Sequence, residues 1–476
     1  MEVPSFRYPR RSSLHRSQGF LLAQNLVGTR FSIQSMKKNS LNRRSFLSTG
    51  AAAVSSWAAA PQILKAQGAV SANDKLNIGV VGASGQGGFS IGQLGDIANI
   101  AALCDVDKNR LAPVASKFPK AETYTDFRRL VEQKDLDAVV VATPDHTHAV
   151  ASVAAMRAEK HVYCEKPLCR TISEVRHVTE LAQETNRVTQ MGTQIHAGSN
   201  YRRVVELVRS GAIGEINEVH VWVGSSTGGR TRYQQFPASV PGNLDWDLWL
   251  GPIPEQPYHP GWTHFHWRHW WHFGGGTLAD IGCHYMDLPF WALDLSHATS
   301  AEAEGPPVDK DSAPIWLKVR YQFPDRVVSG RHWKALPLTW YHGRYPNHIL
   351  TPEQHKRWGS GILFVGSKGQ LISNYGAHEL LPEDKFKDFS RPEPYIQDSK
   401  GHHREWINAI RTGGSTTCRF DYSGPLSETV LLGNVAFRAG QKIEWDYRAM
   451  RATNCPDAEQ FIQHQYRGDW NRWFQG

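Results

Sequence analysis

Paired cysteine motifs are lacking in this chain of 476 residues. Its six cysteines form no C-x-x-C pair and show no regular spacing, so the sequence predicts neither a disulfide framework nor a zinc ribbon. Cys104 and Cys164 lie in or beside apolar strands, where cysteine acts as a small buried hydrophobe. No internal repeat and no low-complexity tract follows the N-terminal leader. The length is sufficient for two domains with full cores.

Net charge is absent from the body of the chain, although the formal total is +8. Residues 1–45 contain nine lysines and arginines but one acid, Glu2, and these account for the whole excess. The remaining residues carry equal numbers of acidic and basic side chains. The high isoelectric point therefore gives no argument for a nucleic-acid partner, and none is predicted.

The N-terminal leader has no apolar run long enough for a permanent membrane span. Ser48 to Ala60 is a mildly apolar, alanine-rich run that follows Arg43-Arg44-Ser45-Phe46-Leu47. Paired arginines with Phe and Leu at this spacing resemble the twin-arginine export signal, although an ordinary basic N-terminal helix is the alternative. We therefore expect export to the periplasm, with cleavage near Ala66 and with Met36 as the initiator in place of Met1.

A predicted strand, a glycine-rich turn and a predicted helix follow one another from residue 76. Leu76 to Val81 is a short apolar run, typical of a strand that is buried on both faces of a parallel sheet. The turn lets the backbone approach a pyrophosphate at the helix N-terminus, although a serine replaces the second glycine of the G-x-G-x-x-G pattern. The cofactor-binding residues predicted in this turn are Gly82, Ser84, Gly85, Gln86 and Gly87.

Asp105 follows the second apolar run, Ile100 to Cys104, roughly twenty residues beyond the glycine turn. An acidic residue at that place in a dinucleotide-binding fold binds the ribose 2′-hydroxyl, although a strand-end turn residue is the simpler alternative. A carboxylate also repels a 2′-phosphate. The sequence therefore predicts NAD in preference to NADP.

Two domains are predicted behind the extension and signal of residues 1–72. Residues 73–192 alternate six strands with helices and predict an α/β Rossmann domain with a doubly wound parallel sheet. Residues 193–476 predict an α+β domain for substrate binding and oligomerisation, with a large, open, mainly antiparallel sheet and helices on one face. Its predicted strands are 215–225, 315–323, 326–333, 361–365 and 369–373, and its closing helices are near 403–411 and 425–438.

Polar side chains directly follow the fourth and fifth predicted strands of the first domain. Ligands bind at the carboxyl ends of the strands in open α/β sheets, so we expect these side chains to contact the cofactor. The predicted residues are Thr143, Pro144, His146 and His148 after the fourth strand, and Glu165 and Lys166 after the fifth.

Asp280 and His284 are four residues apart in a predicted helix, and they therefore share one side of it. That spacing suits a carboxylate that orients an imidazole, and imidazole titrates near neutrality as a general base should. Thr277 and Asp280 also fit a capping box at the start of the same helix. The residues alone leave these two readings of Asp280 open.

Several of these motifs together resemble the glucose–fructose oxidoreductase/inositol dehydrogenase family (Gfo/Idh/MocA). They are the glycine turn, Ala142-Thr143-Pro144, Glu165-Lys166-Pro167 and the Gly-Gly-Gly-x-x-x-Asp-x-x-x-His run at residues 274–284, and the resemblance covers residues 75–447. It implies that Lys166 lies beside the reacting centre, that a cis bond precedes Pro167, and that Asp280 and His284 act with Lys166. A solvated turn lysine is the alternative for Lys166.

The expected chemistry is the transfer of an alcohol hydride to a nicotinamide while a base removes the hydroxyl proton. His284 is the predicted base, Asp280 would orient it, and Lys166 would hydrogen-bond the same oxygen. Lys166 could be the base in its place, because the pKa of a lysine falls readily on burial.

Residues 236–272, called the tryptophan-rich segment below, contain six tryptophans together with arginine and histidine, and this composition indicates a carbohydrate or polyol substrate. Indole faces cover the C–H faces of sugars, although at least half of these tryptophans are expected in the core. Metal ligation by His264 and His266 with His269 or His272 is the alternative, and no metal is predicted. The predicted substrate-binding residues are Gln194, His196, Arg202, Trp267, Arg268 and Trp271.

The sequence thus predicts an exported NAD-dependent oxidoreductase that acts on a sugar, polyol or glycoside and forms a dimer or tetramer. One alternative is a glycosidase that uses NAD for transient oxidation. A second alternative is a non-catalytic carbohydrate-binding relative, which Lys166, Asp280 and His284 together disfavour.

Overall fold

The computed structural model describes residues 75–230, 238–344 and 348–474, all within the compact unit Gln67–Gly476. The twin-arginine motif, the predicted cleavage site and Met36 lie outside the described residues. Within the described ranges, every helix is too short or too polar to cross a membrane.

Six parallel strands form the sheet of the first half, in the spatial order β3-β2-β1-β4-β5-β6. Central strands such as β4 have only buried side chains, because helices cover both faces of the sheet. The predicted doubly wound sheet is confirmed. The strands are β1 (Asn77–Val81), β2 (Asn99–Cys104), β3 (Glu122–Tyr124), β4 (Ala138–Val141), β5 (His161–Cys164) and β6 (Thr189–Met191).

Three of the helices between these strands, α2, α3 and α5, begin at side chains that cap them. Asp107 and Asp126 each accept a hydrogen bond from the backbone two residues ahead, and Thr171 forms a capping box with Glu174. The helices are α1 (Gln86–Leu94), α2 (Lys108–Ala115), α3 (Phe127–Val131), α4 (Asp145–Arg157) and α5 (Ile172–Glu184).

Nine strands form the second sheet, in the order β15-β14-β13-β7-β12-β9-β8-β16-β17. Every neighbouring pair is antiparallel except β7 and β12, so the mainly antiparallel prediction is confirmed. The strands are β7 (Ile216–Val223), β8 (Ser300–Glu304), β9 (Leu317–Phe323), β12 (Leu336–His342), β13 (Gly361–Gly366), β14 (Gly369–Ser373), β15 (His378–Leu381), β16 (Ile443–Asp446) and β17 (Arg451–Ala452).

The single strand predicted at 326–333 is wrong. This segment is a separate hairpin of β10 (Arg326–Val328) and β11 (Arg331–Trp333). Ser329 and Gly330 both have positive φ, at 51° and 78°, and such a pair makes the two-residue turn that reverses a strand.

Helices α8 and α11 pack against each other and against the second sheet, and α11 also packs on α5 of the first half. One hydrophobic core therefore includes residues of both halves. The helix predicted at 425–438 begins earlier, at Phe420, with Pro425 inside its second turn. The helices are α6 (Ser199–Arg209), α7 (Trp246–Leu250), α8 (Gly276–Ala292), α9 (Pro352–Arg357), α10 (His402–Thr412), α11 (Phe420–Ala439) and α12 (Glu459–Ile462).

Candidate functional site

A cleft of about 560 Å³ lies at the carboxyl ends of the parallel strands. The turns after β1, β2, β4 and β5 line one side of it, and segments of the second half, including α8, line the other. Ligands of open α/β sheets bind at this edge, and the volume is typical of a small-molecule site.

The glycine turn between β1 and α1 is shaped to hold a phosphate. Gly82 has a φ of +81°, and a Cβ there would lie 2.6 Å from the carbonyl oxygen of Ala142. A Cβ on Gly87 would collide with the carbonyl oxygen of Gly82. Only glycine therefore permits the close approach of this backbone to the end of the neighbouring strand, β4.

The start of α1 is open toward the cleft. Its N-cap is Gly85, which makes no side-chain capping bond, so the first backbone N–H groups remain available to an anion. The buried Oγ of Ser84 also has no hydrogen-bond partner among the described residues. Ser84, Gly85 and Gln86 line the cleft with Gly82, whereas Gly87 supports the turn from behind. These residues fit a pyrophosphate.

Asp105 directly follows β2 and lines the same cleft. Its Oδ1 accepts a hydrogen bond of 3.0 Å from the backbone N–H of Asp107. Burial raises the pKa of Asp105, and the nearby Arg110 opposes that shift. The position suits the ribose end of a dinucleotide, and binding of ribose by Asp105 stays a prediction.

Residues 243–250, called the cover segment below, cross this end of the cleft. The backbone N–H of Lys108 donates to the carbonyl oxygen of Asn243 at 2.9 Å, and the Asn243 side chain donates to Asp107 at 2.7 Å. Leu244 and Trp249 of the cover segment line the cleft. The sequence gave no sign that this part of the tryptophan-rich segment reaches the cofactor side of the cleft.

Two histidines after β4 have different places. His148 lines the cleft, and its ring nitrogens lie 2.9 Å from the carbonyl oxygens of Pro167 and Thr143. His146 does not line the cleft: it is fully buried and lies 2.8 Å from the carbonyl oxygen of Trp249. Burial lowers the pKa of His146 to about 3. The prediction that His146 contacts the cofactor is therefore corrected, because its ring supports the cover segment.

Thr143, Pro144, Glu165 and Lys166 line the cleft at the strand ends, and their contact with the cofactor stays a prediction. The bond between Lys166 and Pro167 is cis. Burial raises the pKa of Glu165 to about 7, although Lys166 opposes that shift.

Lys166 pairs with Asp280. Its Nζ lies 2.8 Å from Asp280 Oδ1 and 2.6 Å from the Asp280 carbonyl oxygen, and Arg268 Nε donates to the same Oδ1 at 3.1 Å. Burial alone would raise the pKa of Asp280, but the two cations outweigh it and lower the pKa to about 2. Burial would lower the pKa of Lys166, and Asp280 outweighs that effect and raises it. The carboxylate and the ammonium are thus both charged.

His284 lines the cleft but is not oriented by Asp280. Its buried Nδ1 has no hydrogen-bond partner among the described residues, and the Asp280 carboxylate bonds to Lys166 and Arg268. The predicted Asp280–His284 pair is therefore wrong, because cations from two other segments take up the carboxylate. Burial and then the charge of Lys166 lower the pKa of His284 to about 3.

The capping-box reading of Asp280 is also wrong. Helix α8 has Gly275 as its N-cap, with no side-chain capping bond. The Oγ1 of Thr277 accepts a hydrogen bond from the backbone N–H of Thr227 at 2.6 Å. Asp280 is consequently free of any capping role and faces the cleft-side cations.

Trp267 and Arg268 are the substrate candidates that line the cleft. The Arg268 guanidinium lies 4.2 Å from the Trp267 ring centroid and 4.8 Å from that of Phe265. Phe265 is 56% exposed at the edge of the cleft. Four of the six tryptophans in this segment are buried, as expected of a core: Trp249, Trp267, Trp270 and Trp271.

The other substrate candidates do not line the cleft, and their placement is corrected. Gln194 lies behind it and donates to Glu165 Oε1 at 2.9 Å. Trp271 donates from Nε1 to the carbonyl oxygen of Asp309 at 3.0 Å. His196 and Arg202 are buried, and Arg202 donates to the carbonyl oxygen of His196. The hydrogen bonds of all four side chains go to other residues of the chain. These side chains therefore stabilise the fold and do not face a substrate.

One group of metal-type ligands converges among the described residues, formed by His196, Asp287 and Cys418. The carboxylate of Asp287 already accepts hydrogen bonds from His196 Nδ1 at 2.9 Å and from the Tyr422 hydroxyl at 2.7 Å. The group is therefore satisfied as a hydrogen-bonded set without an ion. The histidines of the tryptophan-rich segment form no such group in the described ranges.

Asp145 is not among the site residues predicted from the sequence, yet it lines the cleft with 4% of its surface exposed. Burial raises the pKa of Asp145 to about 8, although Arg268 and Lys166 oppose the shift. Its place directly after Thr143-Pro144, at a strand end, was the available signal.

Family profiles match both halves of the described chain. The profile described as oxidoreductase family, NAD-binding Rossmann fold, matches residues 76–193, and the family's C-terminal alpha/beta domain matches residues 198–330. Together they cover more than half of the chain. The predicted cofactor, NAD, agrees with this match.

The relatives are partial matches. Inositol 2-dehydrogenase of Salmonella paratyphi B is 30% identical over 150 residues, which are 30% of this chain and 45% of that protein. A glycosyl hydrolase family 109 protein of Solibacter usitatus is 33% identical over 157 residues, 30% of this chain and 36% of that protein. The chain spans less than half the length of these curated relatives.

Among solved structures, the WlbA dehydrogenase from Bordetella pertussis, in complex with NADH and UDP-GlcNAcA, shares the fold. It has a TM-score of 0.55 at 17% identity, over 78% of this chain and 99% of that one. The family's NAD-binding and C-terminal profiles both match, and together they cover more than half of the residues. This chain therefore belongs to the Gfo/Idh/MocA family of oxidoreductases.

Proposed function

We propose that this chain transfers a hydride between a hydroxyl-bearing carbon of a sugar, polyol or glycoside and a nicotinamide cofactor. The observation that carries the proposal is the shared cleft, which the glycine turn, Lys166 and His284 all line. Hydride transfer needs a cofactor site and an acid–base pair at one place. The inositol dehydrogenase relative supports the same class of reaction.

The first half provides the residues that would hold NAD, which when bound supplies the carbon that accepts or returns the hydride. The open N terminus of α1 and the unpartnered Ser84 hydroxyl suit the pyrophosphate. Asp105 suits a ribose and opposes a 2′-phosphate. Thr143 and Glu165 line the part of the cleft shared with Lys166.

We assign the proton-accepting role to His284. Its ring lines the cleft, and its Nδ1 has no hydrogen-bond partner among the described residues. Burial lowers its pKa to about 3, so the imidazole is neutral at physiological pH and has a nitrogen lone pair for the substrate hydroxyl proton, and it is a weaker base than a free imidazole. Lys166 does not suit that role, since Asp280 raises the pKa of Lys166 and keeps the ammonium charged. Lys166 would donate a hydrogen bond to the substrate oxygen and stabilise the negative charge that develops there.

The substrate class follows from the opposite side of the cleft. The exposed Phe265 presents an aromatic ring at the edge of the cleft, and Arg268, which packs over Phe265 and the buried Trp267, supplies hydrogen-bond donors. Aromatic faces suit the C–H faces of a sugar or cyclic polyol, and the guanidinium suits its hydroxyls.

The test is a panel of sugars, polyols and glycosides, with nicotinamide reduction followed by absorbance and products by mass spectrometry. We expect an oxidised product with at least one substrate, and its loss in His284→Ala. His332→Ala is the matched control, because His332 is exposed on the β10–β11 hairpin. Protein that binds NAD but oxidises no member of the panel would contradict the proposal.

A redox-neutral glycosidase is the second candidate. The family 109 glycosyl hydrolase relative favours it, and so does the cover segment, which lines one end of the cleft and would slow the departure of a bound cofactor. A chromogenic glycoside distinguishes the two candidates. Release of the aglycone with no net nicotinamide reduction identifies the glycosidase, whereas net reduction without release identifies the dehydrogenase.

We further propose that the chain is exported by the twin-arginine route and acts in the periplasm with a retained cofactor. The support is the Arg43-Arg44-Ser45-Phe46-Leu47 motif ahead of a neutral body. That route generally moves folded proteins, so NAD could bind before transport. Replacing both arginines by lysine should leave the protein in the cytoplasm. Extensively dialysed periplasmic protein should remain active without added NAD, and a need for fresh NAD at every turnover would contradict retention.

A homo-oligomer, dimeric or tetrameric, is proposed from the open second sheet, whose edges and outer face offer a packing surface. Light scattering of the purified protein tests it. A monomer at micromolar concentration would contradict it.

A further inference from the structure

A second, small cavity of about 30 Å³ lies behind the start of α8, away from the cleft. The starts of α5 and α8 and the second half of α11 line this cavity, so residues from both halves of the fold surround it. Its charged lining residues are two arginines, Arg170 at the end of the β5–α5 connection and Arg438 on α11. Trp271, Gly275 and Asn434 complete the part that matters here.

Arg170 has buried donors without acceptors. Its Nη1 donates to the carbonyl oxygen of Trp271 at 3.1 Å. Its Nε and Nη2 are buried and have no hydrogen-bond partner among the described residues. Buried donors are almost always paired, and an unpaired one costs about 1–3 kcal/mol, so two on one guanidinium need an explanation.

Arg438 has aromatic neighbours and no counter-charge. Its guanidinium carbon lies 4.1 Å from the Phe461 ring centroid and 5.0 Å from that of Trp271. No carboxylate in the described ranges forms an ion pair with Arg438 or Arg170. Burial lowers the pKa of Arg438 to about 9, and the charge of Arg170 adds to that shift.

Glu174 contacts Arg170 but does not bond to its guanidinium. Glu174 Oε2 accepts from the backbone N–H groups of Arg170 and Thr171, and its Oε1 accepts from the Tyr466 hydroxyl. Two guanidinium groups therefore line one small cavity, and no carboxylate of the described residues is bonded to either of them. Buried donors in such a place suit an anion from solution.

We propose that this cavity binds one small inorganic anion, of the size of chloride, between the guanidinium groups of Arg170 and Arg438. The anion would accept from the unpartnered Nε and Nη2 of Arg170. The cavity volume admits one or two water-sized species, which suits a halide and excludes sulfate or phosphate. Water alone would satisfy the donors but leave both charges unneutralised.

The position of the site links it to the helix that bears the acid–base residues. Gly275, which lines the cavity, is the N-cap of α8, a helix of 17 residues that begins without a side-chain cap. Asn434 donates to the Gly275 carbonyl oxygen at 2.9 Å and fixes the same turn. An anion here would favour the positive end of α8 and hold the start of the helix that carries Asp280 and His284.

The direct test is a crystal of the protein soaked in bromide. An anomalous difference peak in the cavity, within hydrogen-bond distance of Arg170 Nε or Nη2, is expected. Bromide found only on the outer surface, with water in the cavity, overturns the proposal.

Thermal unfolding gives an independent test in solution. At constant ionic strength, replacing gluconate by chloride should raise the Tm of the wild type by roughly 2–4 °C, since an anion that binds only the folded state stabilises it. Arg438→Met should abolish this chloride response, whereas Arg404→Met, at an exposed arginine of α10, should retain it. A wild type without any chloride response overturns the proposal even if the variant fails to fold.

Discussion

Helix α8 carries two aspartates, Asp280 and Asp287, that lie two turns apart and have opposite surroundings. Asp280 faces two cations, Lys166 and Arg268, beside the cleft. Asp287 is fully buried and accepts hydrogen bonds from an imidazole and a phenol, those of His196 and Tyr422. The two residues are of the same type and lie on the same helix, and only their hydrogen-bond partners differ. These partners make Asp280 an electrostatic group of the cleft and Asp287 a structural group of the core.

The difference shows what each carboxylate controls. Asp280 determines the charge of a neighbour that substrate can reach, because Lys166 remains an ammonium beside it. Asp287 determines where α8 lies relative to the turn after β6 and to α11, because its partners come from those two segments. Four variants can break or sharpen this contrast.

The largest effect is expected for Lys166→Ala. Loss of the ammonium removes the donor that faces the developing substrate charge, and turnover should fall by about two orders of magnitude or more. Folding and NAD binding should be largely intact, as measured by thermal unfolding and calorimetry. Lys120→Ala, at an exposed lysine, is the control. Near-normal turnover in Lys166→Ala would remove this residue from the mechanism.

The second variant, Asp287→Asn, should act on stability and not on chemistry. The amide replaces the side chain that accepts from two buried donors, those of His196 and Tyr422, so the free energy of unfolding should fall by about 1–3 kcal/mol. Turnover at a permissive temperature should stay within about threefold of the wild type. Asp280→Asn is the matched comparison, and it should lose turnover as well as stability, because its carboxylate pairs with Lys166 beside the cleft. If the two variants lose stability and turnover in the same proportion, the contrast between the carboxylates is wrong.

A third measurement follows the ionisation of Asp280. Its folded pKa of about 2 lies below the unfolded value of about 3.9, so its contribution is present above pH 4 and is lost as the pH falls toward 2. The contribution is about 2–3 kcal/mol, and Asp280→Asn should remove this part of the acid dependence. Urea unfolding of both proteins between pH 2 and pH 5 measures it. Identical pH dependence in the two proteins would contradict the assignment.

The fold was predictable wherever the local pattern matched the final environment. The apolar runs that became β1 and β4 are buried on both faces, which is what such a run indicates. Strand β12 was missed, because Pro337 at its second position argues against a strand. It nevertheless pairs on both sides, with β7 and β9, since the tertiary context outweighs one absent donor.

The site was predictable in some of its members but not in its pairings. Lys166 and Asp280 were both selected, although they lie 114 positions apart. Helix spacing correctly placed Asp280 and His284 on one side of α8, but it could not show that Lys166 and Arg268 would reach the carboxylate first. His196 and Arg202 failed as substrate candidates for the same reason, because their partners come from distant segments.

The smallest effect is expected for Arg268, which lines the cleft and, besides the substrate contact proposed above, acts as a positioning residue through Asp280. Its Nε shares Asp280 Oδ1 with Lys166, and its guanidinium is held over Trp267. Arg268→Gln removes one of the two charges that hold down the pKa of Asp280, so that pKa should rise and the acid limb of the kcat profile should move to higher pH. We expect turnover to fall about tenfold, or about 1.4 kcal/mol, with partial rescue by Arg268→Lys. A purely structural arginine would change stability without moving the pH profile, and a rise in KM alone would make Arg268 a substrate contact in place of a positioning residue.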